Sequence, residues 1–197
     1  MCNLLNVGGE SRRRDPEAAL RLPSQWSWSA KHRKEWCSLT ARPGLLRLYP
    51  QVAHPSFDDQ PNLLLRKAPA HGFVVETLLD FFPGQWGEEA GLVLTGRTQI
   101  ALALRHDGQR NTVVLRFNNK LRTIGPVSGH TVKLRMQMNR EGMCYFEVRT
   151  SERLLSISDC FRATKSAGAG VKIGLYAIKQ LEYSWSGHAD FAGFQFL

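Results

Sequence analysis

From Trp36 onward, apolar and polar side chains alternate with a period of two. Val113, Leu115 and Phe117 interleave with Val114 and Arg116. Val132, Leu134, Met136 and Met138 interleave with Lys133, Arg135 and Gln137, and Phe146, Val148 and Thr150 with Tyr145, Glu147 and Arg149. A β-strand turns successive side chains to opposite faces, so each segment is expected to have one buried and one wet side. The same reading predicts strands over 45–49, 62–66, 73–81, 91–95, 100–105, 171–178 and 189–196.

Turn signals punctuate these runs: Arg42-Pro43-Gly44, Phe82-Pro83-Gly84, Asp107-Gly108, Asn118-Asn119, Gly125-Pro126, Glu141-Gly142 and Ser186-Gly187. Asp107-Gly108 and Asn118-Asn119 are short enough for tight hairpins. About eleven strands joined by short turns, with no long amphipathic helix, predict an all-β antiparallel sandwich or jelly roll. A parallel α/β sheet is excluded because its crossovers need helices. No repeat of roughly 20–50 residues is present, which argues against a propeller.

Residues 1–23 lack this periodicity and read as a leader or linker, with a helical turn at 16–22 capped by Asp15. The domain is expected over 24–197. A chain of 197 residues with 43% hydrophobic side chains needs no disulfides to build a core. The basic run Arg12-Arg13-Arg14 follows the short apolar start instead of leading it, so no signal peptide is expected and the location is expected to be cytoplasmic. Cys2, Cys37, Cys144 and Cys160 show no C-x-x-C spacing and are expected to be reduced thiols. No apolar run reaches the roughly 18 residues of a membrane span.

The net charge of +9 invites a nucleic-acid reading. The excess is spread out, with 11 basic and 6 acidic side chains before residue 71 and 15 and 11 after it. The one tight cluster, Arg12 to Arg14, runs straight into Asp15 and Glu17. Solvated strand faces explain this better than a phosphate-tracking groove, so nucleic acid is not the expected partner.

No Gly-x-Ser-x-Gly, phosphate loop or His-Glu-x-x-His occurs. Two suitably spaced acids can hydrolyse a glycosidic bond. The paired acids here, Asp58-Asp59 in a loop and Glu88-Glu89 before a strand, are adjacent. Neighbours on a strand face opposite ways, and adjacent loop acids are usually solvated, so no catalytic pair is expected. Of the tryptophans, Trp86 and Trp185 are candidates for stacking on sugar rings, while Trp36 and one or two others are expected in the core. Glu89 or Asp190, near strand ends, could join backbone carbonyls around a structural calcium, although no ligand spacing compels a metal.

The ordered motifs resemble a family. Gln25-Trp26-Ser27-Trp28, the run from Trp36 through Arg42-Pro43-Gly44-Leu45-Leu46-Arg47-Leu48, Asn62 to Lys67, 73–81, Gly87 to Leu94 and Ala189-Asp190-Phe191-Ala192-Gly193-Phe194 look like the C-terminal β-sandwich of glycoside hydrolase family 43 β-xylosidases and arabinofuranosidases. The resemblance covers about residues 25–197 and implies a concanavalin A-like jelly roll. Ala192 stands where the family closes with a second Asp, Lys67 where Arg is usual, and 106–128 is compressed. The resemblance further implies a catalytic propeller, on a separate chain or lost, and a sandwich loop that closes its sugar pocket. That loop corresponds to 56–60, with Phe57 as the pocket residue and Asp58 beside it. The leading expectation is an accessory domain, not catalytic alone, serving xylo- or arabino-oligosaccharide breakdown. Two alternatives stand beside it: an independent carbohydrate-binding module, and a basic protein- or nucleic-acid-interaction module.

Overall fold

The computed structural model describes residues 22–55, 59–118, 120–164, 170–182 and 185–197. Its strands, in chain order, begin with β1 (Ser27–Trp28), β2 (Cys37–Ser38), β3 (Leu46–Leu48), β4 (Gln51–Val52), β5 (Leu63–Lys67), β6 (Phe73–Phe82), β7 (Glu89–Thr95) and β8 (Gln99–His106). They continue with β9 (Asn111–Phe117), β10 (Lys120–Pro126), β11 (Thr131–Met138), β12 (Met143–Arg149), β13 (Leu154–Arg162), β14 (Lys172–Lys179) and β15 (His188–Phe196). A 3₁₀ turn, Lys34–Trp36, precedes β2, and among the described residues no helix is long and apolar enough to cross a membrane.

The strands form two sheets. One runs β1-β5-β14-β7-β8-β9-β10, with β4 added alongside β14; the other runs β13-β12-β11-β6-β15-β3-β2. The β4–β14 pairing is parallel and every other pairing is antiparallel. The inner faces meet in one core, where Leu64, Leu92, Leu102, Leu115 and Leu175 of the first sheet pack on Val75, Leu79, Leu134, Phe146 and Phe191 of the second. Trp26 is the tryptophan buried in this core, edge-on to Phe194 at 4.8 Å. Trp36, expected there, is half-buried on the flank, with His32 edge-on to it at 5.6 Å and stacked on Trp28 at 3.5 Å.

The alternation holds on β11 and β12, whose second faces carry Lys133, Arg135, Tyr145 and Glu147. It fails on β7, β8, β9 and β14. There the face away from the main core is also buried, in a second apolar cluster of Leu63, Leu65, Val93, Ala101, Ala103, Val114, Tyr176 and Ile178. The cause is side-chain size. Gly91, Ala101, Ala103 and Gly174 leave this face flat, and the long side chains of Arg105, Arg116 and Tyr176 project from the same face. Gly91 and Gly174 admit no side chain: a Cβ would lie 2.2 Å from the Leu102 carbonyl oxygen and 1.9 Å from that of Leu64.

Five strands went unanticipated: the two-residue β1, β2 and β4, and the longer β10 and β13, which each form one edge of a sheet. Strand β10 is largely exposed, carries a bulge between Thr123 and Gly125, and ends in Pro126, which suits a sheet edge. In β13 the inward series Leu155, Ile157, Phe161 is interrupted by Asp159, which pairs with Arg122 of β10. That ion pair and the Phe117–Phe161 stack (centroids 4.5 Å apart) close one side of the sandwich.

Candidate functional site

Glu89 opens β7 on the second, flat face of its sheet. In register it lies opposite Arg105 on β8 and Ile178 on β14. Its carboxylate accepts hydrogen bonds from Arg116 Nε and Nη2 (both 2.8 Å), Arg105 Nη1 (3.0 Å) and the Tyr176 hydroxyl (2.6 Å). Arg116, on β9, stands opposite Ala101 of β8, and Tyr176, on β14, opposite Gly91 of β7, so both reach Glu89 across positions with little or no side chain. Burial pushes the Glu89 carboxyl up, but the Arg116 bonds and charge, with Tyr176 and Arg105, overcome it and hold the group below the usual carboxylate range. Burial and the Glu89 charge hold Tyr176 well above the ordinary phenol range, so its hydroxyl stays a donor.

The expectation of solvated glutamates is therefore overturned, since Glu88 and Glu89 are both fully buried. Their side chains do point apart, as strand geometry requires. Glu88 accepts the backbone N–H of Gly84 (2.7 Å) and of Gly187 (3.1 Å), clamping the 83–88 loop to the segment before β15. Gly187 is pressed so close that a Cβ would lie 2.0 Å from the Phe82 carbonyl oxygen. The clamp brings the two candidate tryptophans to one end of the molecule. Trp185 is 61% exposed, and its carbonyl accepts from Gln85 Nε2 at 2.7 Å. Trp86 is 49% exposed, with the Arg105 guanidinium 5.9 Å from its ring centroid.

Next to the Glu89 cluster lies the stem of the predicted pocket loop. Strand β4 pairs with the end of β14, and Ala53 N–H donates to the Lys179 carbonyl at 2.8 Å. His54 N–H donates to Gln60 Oε1 at 2.9 Å, and Gln60 Nε2 donates back to the His54 carbonyl at 2.7 Å. This reciprocal pair, with Gln60 almost wholly buried, closes the loop at its base. Phe57 and Asp58 lie outside the described residues. Between the stem and the β8–β9 face is a pocket of about 230 Å³, lined in part by Arg105, Arg116, Asn118, Ile178 and Gln180.

Asp190 lies elsewhere, on the outer face of the second sheet. Arg47 grips it with Nε and Nη2 at 2.7 Å each, and Arg42 bridges it to its register partner Asp80. Burial raises the Asp190 carboxyl, and Arg47 more than offsets this and lowers it. Glu89 and Asp190, the two candidate calcium ligands, are thus each committed to two guanidiniums. Among the described residues no group of three or more His, Cys, Asp or Glu is placed to hold a metal.

Sequence reasoning named Glu89, Trp86 and Trp185 without linking them. It missed Arg105, Arg116, Tyr176 and Gln60. The available signal was Ile100-Ala101-Leu102-Ala103-Leu104, a strand with no wet side, whose small residues on one face announce something laid over them.

Two antiparallel sheets with this strand order, a flat second face and a clamped loop beside it define a concanavalin A-like β-sandwich. The family described as "Beta xylosidase C-terminal Concanavalin A-like domain" matches residues 18–197. The chain belongs to that family. No curated protein matches it. Among solved structures, the chain is similar to the GH43 BlXynB protein from Bacillus licheniformis, at 18% identity and a TM-score of 0.76 over 90% of this chain. It is similar to a xylan β-1,4-xylosidase from Bacillus halodurans C-125 (20%, 0.73, over 96%) and to a bifunctional GH43-CE protein of Bacteroides eggerthii (19%, 0.78, over 92%). It spans 37%, 40% and 25% of those three chains respectively.

Proposed function

We propose that this domain is the accessory lobe of a family 43 glycosidase, packing on a catalytic propeller and presenting the 56–60 loop to its sugar pocket. Family membership supports the setting, and the closed loop base is the observation that carries the loop's role. The β4–β14 pairing and the His54–Gln60 bonds fix the two points from which the loop leaves and returns to the sheet, which limits the freedom to be lost on contact. Phe57, with Asp58 next to it in sequence, would exclude water from a xylose- or arabinose-sized site.

The test has two parts. The purified chain is assayed on aryl xylosides and arabinofuranosides, where no turnover is expected and robust turnover overturns the accessory reading. A family 43 β-xylosidase propeller stripped of its own sandwich is then assayed with and without this chain. Restored activity that Phe57→Ala abolishes is the expected result; restoration that Phe57→Ala leaves intact overturns the loop's role, and no restoration overturns the docking.

A second reading, an independent carbohydrate-binding module, is favoured by the exposure of Trp86 and Trp185 at one end. It requires saturable quenching of tryptophan fluorescence by xylo-oligosaccharides that Trp86→Ala or Trp185→Ala removes.

A further inference from the structure

We propose that the pocket between the loop base (Ala53, His54, Pro55 and Gln60) and the β8–β9 face is a binding site for an acidic sugar, a single uronate ring whose carboxylate is received by Arg105 and Arg116. From the preceding reading it takes only that the ligand is a carbohydrate; docking to a propeller is not required.

The donor inventory points to an anion. Two guanidiniums carry about ten N–H donors between them. Glu89 engages three of their nitrogens, Nε and Nη2 of Arg116 and Nη1 of Arg105. Among the described residues no second carboxylate pairs with either arginine. The cluster therefore holds two positive charges against one negative, with several donors left over. Both arginines line the pocket, at 12% and 17% side-chain exposure, while Glu89 is sealed beneath them at 0%.

Burial and orientation make these donors effective. A guanidinium held by one carboxylate has a fixed plane, so its remaining edge is presented without further ordering. Trp86 adds a ring to the Arg105 side. Partial exclusion of water strengthens any charge-assisted bond formed there.

The rest of the pocket selects a sugar over a bare anion. At about 230 Å³ it is smaller than the roughly 300–1,000 Å³ of drug-sized sites, which favours one ring over a chain. Ile178 and Ala53 supply an apolar wall for the C–H face of a ring. Asn118 uses Oδ1 to accept the Gln99 N–H at 3.0 Å, which leaves its Nδ2 for a hydroxyl, and the Gln180 amide lies on the same wall.

The experiment is titration calorimetry of the intact chain with methyl glucuronide, its neutral counterpart methyl glucoside, inorganic phosphate, and a short glutamate-rich peptide. Saturable binding of the glucuronide, at least tenfold tighter than each of the other three, is expected. No heat with the glucuronide, or parity with methyl glucoside, overturns the site. Parity with phosphate reduces it to an unselective anion pocket, and tighter peptide binding makes it a protein socket; each overturns the sugar assignment. Arg105→Gln should weaken the glucuronide about tenfold or more, as loss of a charge-assisted bond does, and unchanged affinity in the folded variant overturns the role of Arg105. Because that variant removes a partner of buried Glu89, the unmodified chain is also followed by NMR. Arginine Nε–H signals of Arg105 and Arg116 should shift on glucuronide addition, and shifts confined to other residues overturn the proposal. Failure here leaves propeller docking untouched, since complementation of the stripped propeller reads that separately.

Discussion

Replacing Glu89 by leucine tests the central cluster of this fold. The substitution removes the acceptor of four hydrogen bonds, three from guanidiniums and one from the Tyr176 hydroxyl. Breaking a buried ion pair by deleting one partner costs about 3–5 kcal/mol. Arg105 and Arg116 keep 12% and 17% exposure, so water entering through the pocket recovers part of their solvation, which places the charge contribution near the lower limit. Tyr176, fully buried, gets no such relief, and an orphaned hydroxyl adds about 1–3 kcal/mol. Since these effects overlap, a loss of about 4 kcal/mol is expected, a large share of the roughly 5–15 kcal/mol that holds a domain folded.

The assay is equilibrium urea unfolding followed by tryptophan fluorescence and circular dichroism, with coincident transitions required before a free energy is extracted. For an m-value of roughly 2–3 kcal/mol/M the midpoint should fall by about 1.3–2 M. A triple variant, Glu89→Leu with Arg105→Met and Arg116→Met, should recover most of the loss, because a packed apolar trio is often as stable as the buried ions it replaces. A midpoint within about 0.3 M of the parent for Glu89→Leu alone would refute the reasoning. So would a triple variant less stable than the single one.

Glu88→Ala orphans the backbone N–H groups of Gly84 and Gly187 and should cost about 1–3 kcal/mol for each donor that water cannot reach. Its local mark is faster hydrogen exchange at 84 and 187, and unchanged protection there refutes the clamp. Burial pushes the Cys144 thiol up to about 12 and raises Cys37 as well, whereas Cys160 is exposed. Alkylation at pH 8 with mass-spectrometric mapping should label Cys160 fast and Cys144 only after denaturation. Stability should fall as pH drops below neutral. Burial, with Arg47 next, lowers His188, so the stability it contributes is whole above the unfolded histidine value of about 6.5 and is lost as pH falls through the lower folded value. Glu89 and Asp190 are also held low, and their contributions drain below the ordinary carboxylate range of about 4. A thermal midpoint that rises as the pH falls from about 7 to 5 would contradict the first, and one that does not fall further below about pH 4 would contradict the second.

Period-two alternation located the strands because it is local: each strand from 45–49 to 189–196 emerged within about two residues of its expected place, the usual uncertainty of element ends. The Asn118-Asn119 hairpin was equally legible, since the turn joins register partners Phe117 and Lys120 and Asn118 takes the left-handed φ of +52° that Asn tolerates. The cluster at Glu89 was not legible in this way. Its arginines lie 16 and 27 residues away and its tyrosine 87, and only the strand order brings them together. Adjacent glutamates in a turn look solvated until the register places a cation opposite one and two backbone amides beside the other. The wet side assigned to Val114 and Arg116 failed for a related reason, because whether a second face is covered depends on neighbouring strands.

Two carboxylates do face each other across a strand pair, Asp80 and Asp190, and their chemistry bears on whether this domain could cleave a glycoside itself. A glycosidase general acid must be protonated at working pH, which requires a raised pKa. Asp190 is driven the other way: Arg47 holds both its oxygens, Arg42 approaches from the Asp80 side, and the group stays ionised despite burial. Glu89 repeats the pattern on the opposite sheet, with two guanidiniums and a phenol keeping it charged. A carboxylate fixed in its charged form cannot give a leaving group its proton, and one whose lone pairs are filled by arginines is a poor nucleophile. What these acids do well is orient guanidiniums. Asp190 ties Arg42, in the turn before β3, to the second sheet, and Glu89 sets two arginines along the wall of a pocket beside a clamped loop. The buried charge of Glu89 and Asp190 therefore serves positioning, and neither carboxylate is suited to give a glycoside leaving group its proton.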